Sequence, residues 1–382
     1  MSTPQLSTIL DQIGALAAAP ESRATTLPPS AYASQALLER ERTHIFAREW
    51  ICVGRDDEIA DTGGYFTTEV NGAPVVVVRQ KDTSIAAFLN VCAHRASILI
   101  EGAGCVRAIT CPYHAWSYGI DGRLLNAPRM GDGFDPASIA LRPVAVTLWN
   151  GFIFLSLADS PAPLQPRLAG LDSAIAAYGV GAMRSLRRET LVWRCNWKIL
   201  VENGLEAYHL SATHPRTLAP VSPVSRVRMQ PGPIDYFHYL AGLADGYAPP
   251  PADPAIATPQ PYLTDHERRT AIVGGVFPGL VFSVASDWVW WIAMQPISAS
   301  EVRIDHGLCG PFSIDPAAID PTDPRFYFLD LAATFNEEDR LRTEAVQRGA
   351  ASGYGQQAPL SPLETGTHRF ARYLADRLSS AV

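Results

Sequence analysis

The stretch CAHRASILIEGAGCVRAITCPYH, residues 92–114, sets one cysteine and one histidine at each end of a short, loop-rich segment. Cys92 and His94 form a C-x-H pair; Cys111 and His114 form a C-x2-H pair. A structural zinc, a redox disulfide and an iron–sulfur cluster with mixed ligands all compete for such a set. Zinc knuckles usually pair like residues, because four ligands must converge tetrahedrally on one ion. Here each end offers one thiol and one imidazole. That suits a [2Fe–2S] cluster in which one iron takes two thiolates and the other takes two imidazoles. The spacing therefore favours the cluster over zinc.

The arrangement resembles a Rieske centre, and the second loop, CPYHAWSYGIDGRL (111–124), is close to the form found in soluble, oxygenase-type Rieske domains. The first loop is looser, with Ala96 and Ser97 where a glycine commonly follows the arginine. High-potential Rieske proteins of respiratory complexes add one bridged cysteine to each loop. The corresponding places here hold Ser97 and Tyr113, so the resemblance implies no disulfide and a potential toward the low end of roughly −150 to +300 mV.

At 382 residues and 47% apolar content, the chain has room for two domains with substantial cores. A net charge of −7 without a long basic run argues against nucleic acid or an anionic membrane surface as partner. Six cysteines are too sparse for a disulfide scaffold; Cys52, Cys105, Cys195 and Cys309 read as small core residues or inert thiols. The N-terminus lacks a positive region and spaces Leu6, Ile9, Leu10, Ile13 and Leu16 as an amphipathic helix would, unlike a signal peptide. Residues 276–294, VFPGLVFSVASDWVWWIAM, are long and apolar, but Pro278, Gly279 and Asp287 break the run. They are expected to form two buried strands with a turn near Ser286–Asp287 rather than a membrane span. A cytoplasmic protein is expected.

A helical pattern over 31–49 gives way to strand-like runs, ICVGRDD, GYFTTEV, APVVVVRQ and IAAFLNV, separated by turn residues. The ligand loops fall inside this β-rich region, and WNGFIFLSL (149–157) reads as its closing strand before the proline-rich SPAPLQP. Expected boundaries are 1–40 for a helical segment packing on the catalytic domain, 41–160 for the cluster domain and 161–382 for a second domain. The latter mixes strands and helices, so the fold class is α+β. The proline-rich stretch 245–264 is either a lid or disordered.

NGLEAYHLSATHP (203–215) contains His209 and His214, with Glu206 three residues before the first. On a helix, Glu206 and His209 share a face, and His214 rejoins them if the helix ends after Leu210. FNEEDRLRTEAVQRG (335–349) places Asp339 on a predicted helix with Glu344 and Gln347. Alone, these read as ordinary histidines and a solvated helix face. Beside an electron-carrying cluster they read as a 2-His-1-carboxylate site for non-haem Fe(II), which leaves one face open to O2 and substrate.

The order CxH, CxxH, NWKxxxENxxExYHxxxxHP and EDxxxxExxQxG resembles the catalytic α-subunits of Rieske non-haem iron oxygenases, from about residue 30 to 350. The resemblance implies an all-β Rieske domain and a helix-grip catalytic domain, an antiparallel sheet wrapped around a long helix. It implies Cys92, His94, Cys111 and His114 on the cluster, and His209, His214 and Asp339 on the mononuclear iron, with Glu338 as fallback carboxylate. Asn203 and Glu206 join the catalytic set. Most members carry Asp where Glu206 stands, bridging to a Rieske histidine of a neighbouring subunit; glutamate there is similar to the branch acting on choline, betaine and carnitine.

The expected reaction is O2-dependent monooxygenation or N-demethylation of a quaternary ammonium or N-methyl compound by a homotrimer. Electrons come from NAD(P)H through a separate flavin and iron–sulfur reductase, since no dinucleotide-binding fingerprint is present. Trp288, Trp290 and Trp291 are candidates for a cation cage. The alternative is dioxygenation of an aromatic acid, as in aromatic hydrocarbon catabolism, with Arg226, Arg228 or Arg303 clamping the carboxylate. An electron-transfer protein with an inert second site is a more remote one.

Overall fold

The computed structural model describes residues 5–247, 263–286, 288–310 and 327–379, with side chains from residue 331 onward in the last stretch. The chain divides into two compact units, Phe46–Ala162 and Met1–Ile45 together with Pro163–Val382. The expected limits at 40/41 and 160/161 lie a few residues from these.

In the smaller unit, alternating apolar runs become strands β1 (Ile51–Arg55), β2 (Gly64–Val70), β3 (Ala73–Arg79), β4 (Ile85–Leu89), β5 (Ala103–Cys105), β6 (Ala108–Thr110), β7 (Ser117–Gly119), β8 (Leu124–Asn126), β9 (Pro143–Trp149) and β10 (Phe152–Ser156). A seven-stranded sheet runs β1-β10-β9-β4-β3-β2-β5, and a three-stranded sheet runs β6-β7-β8. WNGFIFLSL is two strands rather than one. Asn150 (φ 48°) and Gly151 (φ 79°) turn the chain between β9 and β10. Positive φ at both central residues matches the right-handed twist of a tight hairpin, and Asn-Gly is the pair that adopts it most readily. Val76, Val78, Ile109 and Tyr118 form the fully buried floor under both ligand loops.

The larger unit carries α1 (Leu6–Ala18), α2 (Ser30–Ala33), α3 (Gln35–Glu41), α4 (Ala169–Ile175), α5 (Trp197–Leu205), α6 (Leu210–Thr213), α7 (Asp265–Arg268), α8 (Tyr327–Ala351) and α9 (Thr365–Ser379). Its strands are β11 (Arg184–Trp193), β12 (Val227–Met229), β13 (Tyr236–Gly242), β14 (Thr270–Val276), β15 (Leu280–Val284), β16 (Val289–Ser298) and β17 (Glu301–Gly310). They pair antiparallel in the order β11-β17-β16-β15-β14-β13-β12. The fold is thus α+β, with an all-β unit and a helix-grip unit. The run 276–294 belongs to three strands, not two, because Phe277–Gly279 already turns the chain between β14 and β15. Of the expected turn near Ser286–Asp287, Asp287 lies outside the described residues, as do 248–262 of the proline-rich segment. No described helix is long and apolar enough to cross a membrane.

Helix α5 is held from several sides. Asn196 caps it by accepting from Lys198 N and ties it down by donating to Ala299 O at 2.8 Å. Gln347 of α8 accepts from Asn196 N at 2.8 Å and donates to Tyr32 O at 3.2 Å. Lys198 and Trp197 both donate to Glu41, at 2.6 and 2.7 Å, in a fully buried ion pair. Gly204 lets α5 approach the sheet, since a Cβ there would stand 2.7 Å from Val281.

Candidate active site: two ligand sets and an aromatic cavity

The Rieske loops share one backbone device. Cys92 N donates to Ser97 O and Ala96 N to Cys92 O; Cys111 N donates to Trp116 O and Ala115 N to Cys111 O. Ala96 (φ 53°) and Ala115 (φ 58°) close the two turns in the left-handed region. That explains why a glycine suits the position after the arginine: alanine occupies it against a Cβ penalty. Cys92 and Cys111 are buried, whereas His94 and His114 are exposed. Burial would raise the Cys111 thiol, but amides of Tyr113 and His114, with the Cys92 and Ser97 side chains, hold it below its ordinary value. The two imidazole rings lie 4.7 Å apart, and His94 stacks on Trp116 at 4.8 Å. The set is a thiol pair under an imidazole pair, which fits two irons of different ligation better than one tetrahedral ion. Tyr118 reinforces the floor, its hydroxyl 3.3 Å from Cys92 Sγ and accepting from Ala93 N. Among the remaining cysteines, Cys52, Cys195 and Cys309 are buried as expected, but Cys105 is exposed on edge strand β5.

In the larger unit, Glu206 and His209 do not share a helix. Helix α5 stops at Leu205, and Glu206 is extended (φ −135°, ψ 163°). The Glu206 carboxylate turns back to cap the next segment, accepting from Tyr208 N, His209 N and, at 2.5 Å, His209 Nδ1. The four-residue helix α6 then returns the chain so that His214 faces His209, with ring centroids 5.2 Å apart. Asp339 of α8 completes the group: donor atoms of His209, His214 and Asp339 all lie within 4.8 Å of one another.

Glu338, the fallback carboxylate, lies behind His214 rather than beside His209 and Asp339. It accepts from His214 Nδ1 at 2.7 Å and from Thr217 Oγ1 at 2.6 Å. Both histidines therefore have a carboxylate on Nδ1, which leaves Nε2 turned inward, the second-layer pattern of metal-binding imidazoles. His214 Nε2 is buried without a hydrogen-bond partner, although Asp339 Oδ1 lies 3.1 Å away. An imidazole whose Nδ1–H is given to Glu338 meets Asp339 lone pair to lone pair, and a proton or a metal ion between them relieves that. Burial lowers the His214 pKa, but Asp339 and Glu338 outweigh it and hold the group above its ordinary value. The donor set and its electrostatics fit a divalent ion of the 2-His-1-carboxylate kind. Asn203 Nδ2 donates to Asp339 Oδ1 at 3.2 Å and lies 3.4 Å from His209 Nε2.

Above this triad opens a cavity of about 170 Å³. Tyr239, Tyr247, Trp288, Trp290 and Phe335 give it an aromatic wall, and Trp290 meets Phe335 edge to face at 5.2 Å. Asp339 is the one carboxylate among the described residues lining it. The expected tryptophan trio is divided by strand alternation. Trp288 and Trp290 line the cavity, but Trp291 is fully buried away from it, with Arg188 at 6.0 Å from its ring. Tyr239, Tyr247 and Phe335 come from elements distant in sequence, and no local pattern marks them. Arg226, Arg228 and Arg303 are absent from the described lining; Arg226 pairs with Asp245, Arg228 bonds Ser225 O and Val227 O, and Arg303 pairs with Asp305. Among the described residues, the arginine that lines the cavity is Arg268.

Residues 180–380 match the family described as ring hydroxylating alpha subunit (catalytic domain), and residues 49–145 match the Rieske [2Fe-2S] domain. The chain belongs to the ring-hydroxylating alpha-subunit family, Rieske non-haem iron oxygenases whose two domains use a Rieske cluster and a mononuclear iron. It is 41% identical over 195 residues to the glycine betaine monooxygenase oxygenase subunit of Chromohalobacter salexigens, covering 50% of this chain and 44% of that one. It is 36% identical over 197 residues to the carnitine monooxygenase oxygenase subunit of Escherichia coli K12, covering 50% and 53%. These matches span about half the length of those curated relatives. Among solved structures, the quaternary ammonium Rieske monooxygenase CntA, in complex with an inhibitor, superposes with a TM-score of 0.81 at 26% identity, covering 95% of this chain and 98% of that one.

Proposed function

We propose that this chain is the oxygenase component of a system that monooxygenates a quaternary ammonium compound, with N-demethylation as the outcome. The observation that carries the reading is the aromatic cavity over the His209–His214–Asp339 triad, with no carboxylate among its described lining residues except the triad's own. A quaternary ammonium has no donor hydrogens, so ring faces hold it at roughly 0.5–2 kcal/mol per contact without a fixed counter-charge. The relatives named for glycine betaine and carnitine oxidation support the same class.

When bound, the Rieske cluster supplies electrons one at a time, and the mononuclear iron supplies the site of O2 reduction and C–H oxidation. His209, His214 and Asp339 would hold that iron; Glu206 and Glu338 fix the two imidazole tautomers by accepting from Nδ1. The Asn203 amide restrains Asp339 by donating to Oδ1, the oxygen that faces both histidines. Tyr239, Trp290 and Phe335 exclude water and set the cationic nitrogen beside the triad. With one O2, two electrons and two protons, an N-methyl carbon gains a hydroxyl and one water is released. The resulting carbinolamine breaks its C–N bond, giving formaldehyde, the demethylated amine and a proton.

Glu206 faces a second cavity, of about 420 Å³, together with Tyr32, Glu202 and Glu364. This outward placement supports its assignment as the bridge by which electrons reach His209 from the cluster of a neighbouring subunit in a homotrimer. A separate NAD(P)H reductase then delivers electrons to the cluster, and six cysteines without a disulfide suit the cytoplasm. The test is to combine the iron-loaded chain with a reductase, NADH and O2. A quaternary amine should release formaldehyde in step with NADH oxidised. Oxygen uptake stimulated by aromatic acids and by no quaternary amine would overturn the reading in favour of ring hydroxylation.

A further inference from the structure

We propose that Arg268 is an anion clamp in the cavity wall, so that the substrate is a zwitterion: a quaternary ammonium bearing a carboxylate. This deepens, and rests on, the quaternary ammonium reading above.

Arg268 ends the short helix α7 and is half-buried on the cavity lining. Its backbone position is fixed on both sides. Thr264 and Glu267 form a reciprocal cap before it, Arg268 N donates to Thr264 O, and Arg269 donates to Tyr247 O and Ala244 O after it. The guanidinium itself has no hydrogen bond, ion pair or ring partner among the described residues, whereas Arg226, Arg228, Arg269 and Arg303 are all engaged. The guanidinium asks for acceptor oxygens, and no described residue of the wall, Asp339 included, is bonded to it.

A carboxylate meets that demand. It takes two parallel N–H bonds from a guanidinium, and an apolar surround strengthens the pairing relative to water. The aromatic faces need a cation without donors; Arg268 needs an anion with acceptors. One molecule satisfies both when it carries the two charges at opposite ends. A quaternary ammonium alcohol leaves the guanidinium half-buried and unpaired, so the clamp works by rejection as well as attraction.

The experiment is anaerobic calorimetric titration of the full-length holoprotein with zwitterions of increasing charge separation (glycine betaine, carnitine, γ-butyrobetaine), glycine betaine methyl ester, choline and benzoate. The best zwitterion should bind at least about tenfold more tightly than choline and than the ester. Arg268→Gln should remove that preference while leaving choline affinity within about twofold, and Arg268→Lys should restore part of it. The ester arm needs no mutant, so it decides the matter even if Arg268→Gln fails to fold. Equal binding of zwitterion, ester and choline, or a parallel loss for all ligands in Arg268→Gln, overturns the clamp and leaves the quaternary ammonium reading standing. Binding of benzoate with no binding of any quaternary amine overturns that reading itself.

Discussion

Cys92, His94, Cys111 and His114 come from two neighbouring loops of one small β unit, each closed by its own backbone hydrogen bonds. The triad of the larger unit is assembled differently. Asn203 and Asp339 meet across 136 positions of sequence, and the histidines reach them only because α5 stops at Leu205 and α6 brings the chain back. The loops carry their geometry locally, in turn conformations at Ala96 and Ala115. The triad borrows its geometry from carboxylates behind the ligands and from the packing of α5 and α8. A site of the first kind carries its geometry within its motif; in a site of the second kind the residues are legible in sequence motifs but their meeting depends on distant packing.

The largest effects should come from removing one ligand of each kind. His114→Ala should abolish the Rieske absorption and EPR signals and leave the mononuclear site able to bind iron. Asp339→Ala should keep those signals, lower iron from about three to about two per chain, and reduce turnover by more than about 100-fold. Full iron content and turnover in Asp339→Ala, with both lost in Glu338→Ala, would reverse the roles given to these two carboxylates.

Next come the carboxylates behind the triad. Glu206→Gln and Glu338→Gln should each weaken mononuclear iron retention or turnover by about 10–100-fold while leaving the cluster spectrum unchanged. A shifted cluster potential in isolated Glu338→Gln would break the separation drawn between the regions. Glu41→Ala tests the packing contribution, because it leaves Lys198 charged and unpaired where both side chains are fully buried. A loss of about 3–5 kcal/mol is expected in denaturant unfolding of the larger unit. The smallest effect should be Ala96→Gly, which relieves a left-handed alanine at the cost of unfolded-state entropy; a net gain of about 0.5–1 kcal/mol in the smaller unit is expected. A loss instead would mean that the Ala96 methyl packs usefully.

The sequence by itself determined the Rieske loops, the strand-rich organisation of the smaller unit, the α+β class of the whole, and the three residues of the triad as members of a family pattern. These features have short range: C-x-H and C-x2-H pairs, period-two apolar runs and a helical repeat from Asp339 to Gln347 are set by neighbours a few residues apart. Even so, local signals misled where the chain changes direction. Asn150-Gly151 is a hairpin turn within an apparently single strand, and Leu205 ends a helix that spacing alone would continue to His209. Only the tertiary structure decided that Glu338 holds His214 rather than the metal position, that Trp291 turns away from its two neighbours, and that Tyr239, Phe335 and Arg268 converge on one cavity. Those outcomes depend on which strand faces which helix and on which buried polar atoms remain unpaired once the core closes. Neither quantity exists until residues far apart in sequence are brought into contact.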